Sequence, residues 1–133
     1  MKKAVMILLI CSCLSAKAVA GAAKIGECAR GYGELYLDDD GITTYCLGRQ
    51  AWTNWYSAFA WCKAAGGRLI DINKDCTDSG CGKYSFLAAY RTWTANQKDE
   101  STAFTYCGWT KIETFKKASN NIGNLVTFCI MKQ

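Results

Sequence analysis

Apolar residues recur at helical spacing near the middle of this chain and define its clearest predicted element. Thr53 or Asn54 can cap the start of the predicted helix through a side-chain oxygen. Gly66 and Gly67 can end it in a backbone conformation with positive φ. The apolar stripe of the helix contains five residues, Trp55, Ala58, Phe59, Cys62 and Ala65.

Other segments carry the pattern of strands and of a hairpin. Residues 68–72 alternate between polar and apolar positions, which predicts a half-buried strand. Two β-rich arms between Tyr32 and Tyr45 flank Asp40-Gly41, a pair typical of a tight hairpin turn. Residues 104–110 alternate in the same way, and residues 126–130 form a short apolar run near the C-terminus.

The helix and the residues after it resemble the first helix of C-type lectin-like domains, without a gap. The resemblance implies an α+β fold in which two helices and an N-terminal hairpin pack with a curved antiparallel sheet stabilised by disulfides. Residues 84–91 suit the short second helix of that family, and Trp93 suits a tryptophan in one of its strands. The residues that match are Trp55, Ala58, Trp61, Cys62, Gly66, Gly67, Leu69 and Ile72.

The first twenty residues have the composition of a secretion signal. Lys2 and Lys3 precede an apolar run over residues 4–14, and the small residues 18–20 offer a cleavage site before Gly21. The apolar run is too short for a stable membrane span. We therefore expect a signal peptide over 1–20, a single domain over 21–133, and a secreted, periplasmic or cell-surface location.

The net charge of the domain is small once this segment is set apart. Residues 1–20 hold three of the 16 basic residues and none of the 11 acidic ones, which leaves a net charge of +2 on residues 21–133. A charge of this size does not favour a nucleic-acid or anionic-membrane partner.

Seven cysteines follow residue 20, and an oxidising location favours disulfides over a metal site. The family resemblance implies a bond between Cys62 and Cys129, and it supports Cys28–Cys46, whose cysteines also flank the predicted hairpin. Cys76 and Cys81 are close enough in sequence for a local bridge. Cys107 then stays unpaired, or bonds a second protein, unless it takes Cys76 or Cys81 instead.

The residue types in this chain give little support to an enzymatic or metal-dependent function. The chain has no histidine, which excludes Ser-His-Asp and Cys-His arrangements. It also has no proline, so the proline-bearing calcium loop of sugar-binding C-type lectins cannot exist here. The acids between Asp71 and Asp78 mimic the start of a calcium loop, but we interpret them as a solvated loop. We expect no catalysis, metal or cofactor.

The remaining evidence for function is the set of aromatic residues in the second half of the chain. Tryptophan and tyrosine rings can stack on sugars or anchor a protein partner. We therefore predict a non-enzymatic module that binds a protein or a surface glycan without calcium, with a ligand face between Trp93 and Asn121. The alternative is a structural or envelope protein with no soluble ligand, linked to a partner by a disulfide from Cys107. The candidate binding residues are Trp93, Tyr106, Trp109 and Lys111.

Overall fold

The computed structural model describes residues 22–38, 40–48, 53–76, 90–107, 111–119, 122 and 125–132. Within these residues the chain forms seven strands, two α-helices and a short 3-10 turn over Ala29–Gly31. The strands and helices, in chain order, are β1 (Ala22–Glu27), β2 (Glu34–Asp38), β3 (Thr44–Gly48), α1 (Trp55–Ala64), α2 (Ile72–Asp75), β4 (Arg91–Gln97), β5 (Thr102–Cys107), β6 (Lys111–Lys116) and β7 (Leu125–Lys132).

The strands form one mixed sheet in the order β1-β2-β3-β7-β4-β5-β6. Neighbouring strands are antiparallel except for β4 and β7, which are parallel. The last strand of the chain therefore lies in the middle of the sheet. It joins the three N-terminal strands to the group formed by β4, β5 and β6.

Strands β2 and β3 form the predicted hairpin around Asp40-Gly41. The Asp40 carboxylate accepts hydrogen bonds from the backbone N–H groups of Ile42 and Thr43 at 2.7 and 2.8 Å. Gly41 has a φ of 74°, a conformation that costs glycine little. The Asp-Gly pair that predicted a turn in the sequence is therefore the pair that closes this hairpin.

Helix α1 begins and ends close to where the sequence predicts. The Asn54 side chain accepts a hydrogen bond from the backbone N–H of Ser57 at 2.9 Å and so caps the first turn. Gly66, with a φ of 90°, lies just beyond the helix. Gly67 follows where a Cβ atom would lie 2.7 Å from the carbonyl oxygen of Ile130, so the chain passes close to β7 there.

The expected fold class, an α+β C-type lectin-like fold with two helices and a curved antiparallel sheet, is wrong. The sheet dominates the structure and is mixed, and the two helices are short, with 10 and 4 residues. The second helix was expected at residues 84–91, but Arg91 opens strand β4, and residues 84–89 lie outside the described part of the chain.

The second helix lies instead where the sequence pattern predicts the end of a strand. Asp71 caps α2 by accepting a hydrogen bond from the backbone N–H of Asn73 at 3.0 Å. Before it, Arg68 and Ile70 make only isolated bridges to β7 and β4. Leu69 and Ile70 are both buried, so the segment does not alternate as a half-buried strand does.

Two buried clusters form the core. One includes the inner face of α1 and Trp93 of β4, and the other is built around Tyr45, Tyr106 and Phe128. In β4 and β5, Trp93 is paired with Thr105 and Thr92 with Tyr106, so the rings of Trp93 and Tyr106 belong to opposite faces of the sheet. Strands β4 and β5 thus supply core residues on both of their faces.

Two of the expected disulfides are confirmed and lie in the first cluster. The Cα atoms of Cys28 and Cys46 are 5.9 Å apart, and those of Cys62 and Cys129 are 5.4 Å apart. Cys46 of β3 also lies directly opposite Cys129 of β7. The two bonds therefore meet at one pair of strands, where Cys28–Cys46 joins the segment before β2 to β3 and Cys62–Cys129 joins α1 to β7.

The predicted signal peptide, residues 1–20, lies outside the described residues. Of the helices that are described, none has the length and apolar character needed to cross a membrane.

Candidate functional site

Two of the four candidate binding residues are buried in the core. The side chains of Trp93 and Tyr106 are each 0% exposed. The indole N–H of Trp93 donates to the carbonyl oxygen of Thr53 at 2.8 Å, which joins β4 to the start of α1. The prediction that these two rings face a ligand is wrong, because β4 and β5 are covered on both faces at these positions.

The other two candidates are not tested. Trp109 lies outside the described residues, as does Trp52. Lys111 opens β6 opposite Cys107, but its side chain is not among those described.

Cys107 is not a free thiol, which was one of the alternatives that the sequence left open beside a bond to Cys76 or Cys81. Cys107 and Cys76 each form a disulfide bond, and Cys107 is 0% exposed. A disulfide from Cys107 to a second protein is therefore not supported. The expected bridge between Cys76 and Cys81 involves a residue outside the described part of the chain.

The acidic residues from Asp71 onward, which the sequence predicts to form a solvated loop, serve the fold where they are described. Asp71 caps α2, and Asp75 accepts two hydrogen bonds from the Arg68 guanidinium at 2.7 and 2.9 Å. Asp38 accepts a hydrogen bond from the Tyr45 hydroxyl, and Asp40 closes the hairpin turn. No group of three metal-ligating side chains is found among the described residues.

A groove of about 380 Å³ lies where α2 meets the outer strands of the sheet. We name it the amide groove, because half of its lining side chains are carboxamides. None of its lining residues is charged. They are Ile72, Asn73, Asn96, Gln97, Phe104 and Ile112.

Asn96 links β4 to the start of α2, and both of these elements line the amide groove. Its side-chain oxygen Oδ1 accepts a hydrogen bond from the backbone N–H of Ile72 at 2.7 Å, and its side-chain nitrogen Nδ2 donates to the Asp71 carboxylate at 3.3 Å. Asp75 accepts a further hydrogen bond from the backbone N–H of Asp71 at 2.8 Å. The bidentate pair with Arg68 holds Asp75 in place, so α2 is fixed to β4 at its start and to the Arg68 side chain at its end.

Gln97 is oriented by a buried lysine. Lys117 is only 4% exposed, although its sequence context suggests a solvated turn. Its ammonium group donates to the side-chain oxygen of Gln97 and to the carbonyl oxygen of Glu100, and lies 4.8 Å from the centre of the Trp55 ring. Because the lysine occupies the oxygen of Gln97, the NH₂ group of that amide keeps its two donors for other partners.

The amide groove thus combines hydrogen-bonding groups with apolar surface. The Asn73 side chain is exposed and offers both an acceptor and two donors. Phe104 is half-buried, and Ile112 is 40% exposed. The groove can hold a small neutral ligand that carries hydroxyl groups on an apolar ring or chain.

A second groove, of about 330 Å³, lies beside α1, and we name it the basic groove. It borders the amide groove, since Asp71 and Ala95 line one and their chain neighbours Ile72 and Asn96 line the other. Its lining contains three basic residues and one acidic residue. The complete lining is Phe59, Lys63, Gly67, Arg68, Leu69, Asp71, Lys74 and Ala95.

Four of the six residues that line the amide groove lie in the segment where the sequence predicts a ligand face, but none of them is a predicted binding residue. These four are Asn96, Gln97, Phe104 and Ile112, whereas the candidates drawn from the segment were three large aromatic residues and Lys111. The sequence feature that could have identified this groove is the polar end of β4, where Asn96 and Gln97 follow a run of buried residues.

No protein-family model matches this sequence, and a search against curated proteins found no match. The resemblance to C-type lectin-like domains stays a prediction from the residues quoted for it.

Proposed function

We propose that this protein is a secreted, non-enzymatic binding module that holds a neutral glycan in the amide groove without calcium. The observation that carries the proposal is the lining of this groove, in which Asn73, Asn96 and Gln97 lie beside Phe104 and Ile112. Its volume of about 380 Å³ falls within the range usual for small-molecule sites.

The chemistry of the lining matches that of a sugar ring. Carboxamides both donate and accept hydrogen bonds, as the hydroxyl groups of a sugar require. Aromatic and aliphatic side chains can cover the apolar face of the ring. A charged ligand would find no opposite charge among the six lining residues, and this favours a neutral glycan.

The scaffold is suited to a preformed site. Asn96 is held by two hydrogen bonds, and Gln97 is held by Lys117. Side chains that are fixed before the ligand arrives lose little freedom on binding, which preserves affinity. The disulfides fit a protein that works in an oxidising compartment such as the cell exterior.

A glycan array probed with the disulfide-bonded protein, with and without EDTA, tests the proposal. We expect binding to neutral oligosaccharides that EDTA does not change. Asn73→Ala and Ile112→Ser should each weaken it by about tenfold, the cost of about 1.4 kcal/mol.

The matched control for Ile112→Ser is Ile42→Ser. Ile42 is 58% exposed and lies at the turn of the β2–β3 hairpin, outside the groove lining. Equal loss of binding in both variants, or binding that requires calcium, would contradict the proposal.

A further inference from the structure

Helix α1 is apolar on its outer face as well as on its inner face. Trp55, Ala58 and Cys62 are buried against the sheet, as the sequence pattern predicts. Beside them, the outer stripe of the helix contains Tyr56 and Phe59, which are 53% and 41% exposed. Aromatic residues are enriched at protein interfaces, so this outer stripe has the character of a contact surface.

The exposed rings are held in a fixed arrangement. The rings of Tyr56 and Phe59 lie with their centres 5.5 and 5.1 Å from the ring of Trp55. Trp55 is itself anchored, since its indole N–H donates to the carbonyl oxygen of Thr94 at 2.9 Å. Rigid aromatic groups of this kind are typical anchors of protein interfaces.

The charge around the stripe is positive. Helix α1 contains no acidic residue, and Lys63 lies one turn beyond Phe59 on the same stripe. Lys63 and Lys74 are exposed, and neither forms an ion pair within the described residues.

The other charges of the basic groove are engaged within the protein. Arg68 is paired with Asp75. The Asp71 carboxylate accepts hydrogen bonds from the backbone N–H of Asn73 and the side chain of Asn96. Lys63 and Lys74 therefore remain to attract an anionic group.

We propose that the outer stripe of α1 and the basic groove form a docking surface for a protein segment that carries an apolar side chain next to a carboxylate. The apolar side chain would enter the groove of about 330 Å³ against Phe59, Leu69 and Ala95. The carboxylate would lie between Lys63 and Lys74. Charge complementarity selects an acidic segment over a basic or neutral one.

This surface is separate from the amide groove. The two grooves share no lining residue, and the segment is a protein rather than a sugar. The docking proposal can therefore fail while the glycan proposal stands, and the reverse also holds.

Selection from a random peptide display library against the disulfide-bonded protein tests the docking proposal. We expect enriched peptides in which Asp or Glu lies beside Trp, Phe, Leu or Met. Phe59→Ser should weaken the selected peptides by about tenfold, as expected when an aromatic anchor is truncated. Lys63→Gln should weaken them several-fold, and added salt should do the same because it screens exposed charges.

The matched controls are Ile42→Ser and Lys98→Gln, which change an exposed apolar and an exposed basic residue outside both grooves. Both should leave peptide binding unchanged. Thermal melts should show that Phe59→Ser folds normally, since an exposed side chain contributes little to stability.

Several results would overturn the docking proposal. These are the absence of enriched peptides, enrichment of peptides without acidic residues, and peptide binding that survives Phe59→Ser. A dimer in light scattering that Phe59→Ser dissociates would assign the stripe to a second copy of this chain. Loss of glycan-array binding in Phe59→Ser would assign it to a sugar.

Discussion

Strands β4 and β5 and helix α1 all carry aromatic residues, yet the largest rings of the strands are buried and two rings of the helix are exposed. Trp93 and Tyr106 are 0% exposed, whereas Tyr56 and Phe59 are 53% and 41% exposed. The strands lie within the sheet and supply core residues on both faces, but α1 has the sheet on one side only. Whether an aromatic ring is buried here depends on how many faces of its strand or helix are covered, and not on the size of the ring.

The largest effect should come from truncating the buried tryptophan. Trp93→Ala leaves a large cavity and removes the hydrogen bond to the carbonyl oxygen of Thr53. We expect a loss of about 5 kcal/mol in the free energy of unfolding. Phe59→Ala should cost no more than about 0.5 kcal/mol. Urea unfolding followed by fluorescence measures both, and equal losses would refute the comparison between strands and helix.

Removing the bond between Cys62 and Cys129 should have the next largest effect. The bond spans 67 residues of sequence. In the chain-entropy model a loop of this length contributes about 4 kcal/mol. The double variant with alanine at both positions should lose about that amount in urea unfolding. The matched double variant at Cys28 and Cys46, which spans 18 residues, should lose about 1 kcal/mol less.

The Arg68–Asp75 pair offers a smaller effect that links the fold to the amide groove. The Asp75 side chain is 1% exposed and that of Arg68 is 33% exposed. Asp75→Asn should cost about 1–3 kcal/mol, because a half-exposed arginine can recover some hydration. It should also weaken glycan binding, since Asp75 helps to fix α2.

Glu34→Gln is the control for that variant. Glu34 pairs with Lys24 at 3.5 Å, and the Lys24 side chain is 49% exposed, so the loss should be below about 1 kcal/mol. If Asp75→Asn costs no more than this control, the pair does not hold α2 in place.

The smallest expected effect concerns Asp99 in the turn between β4 and β5. Hydrogen bonds lower the pKa of this carboxyl below 3.8; the Thr102 hydroxyl has the largest effect, followed by the backbone N–H of Ser101. A lowered pKa means that this group stabilises the fold at pH values above 3.8, and that its contribution disappears as the pH falls through the folded-state pKa.

An NMR pH titration of the Asp99 carboxyl carbon would measure its pKa directly. We expect a midpoint below 3.8, which Thr102→Ala shifts upward. A midpoint at or above the ordinary value would contradict the hydrogen bonding of this turn.

Local features of the sequence predicted local structure well. Asn54 and Gly66 bound α1 because capping and positive φ depend on a few neighbouring atoms. The hairpin at Asp40-Gly41 follows from turn chemistry in the same way. The pairing of Cys62 with Cys129 was reached through the family resemblance and not through spacing.

Non-local features were harder to predict. The helical spacing predicted that Phe59 lies in the core. Spacing alone does not show which edge of an apolar stripe has no neighbouring element to cover it. Lys117 looked solvated because its contacts, Gln97, Glu100 and Trp55, lie far away in sequence. The amide groove was missed for the same reason, since strand pairing and the position of α2 bring its lining residues together.

The most direct test of the account is an NMR titration of the isotope-labelled, disulfide-bonded protein with the oligosaccharide that binds best on the array, in the presence of EDTA. We expect chemical-shift changes centred on Asn73, Asn96, Gln97 and Phe104, with the Phe59 region unchanged. Changes centred elsewhere, or changes that vanish when EDTA is added, would contradict calcium-independent binding in the amide groove.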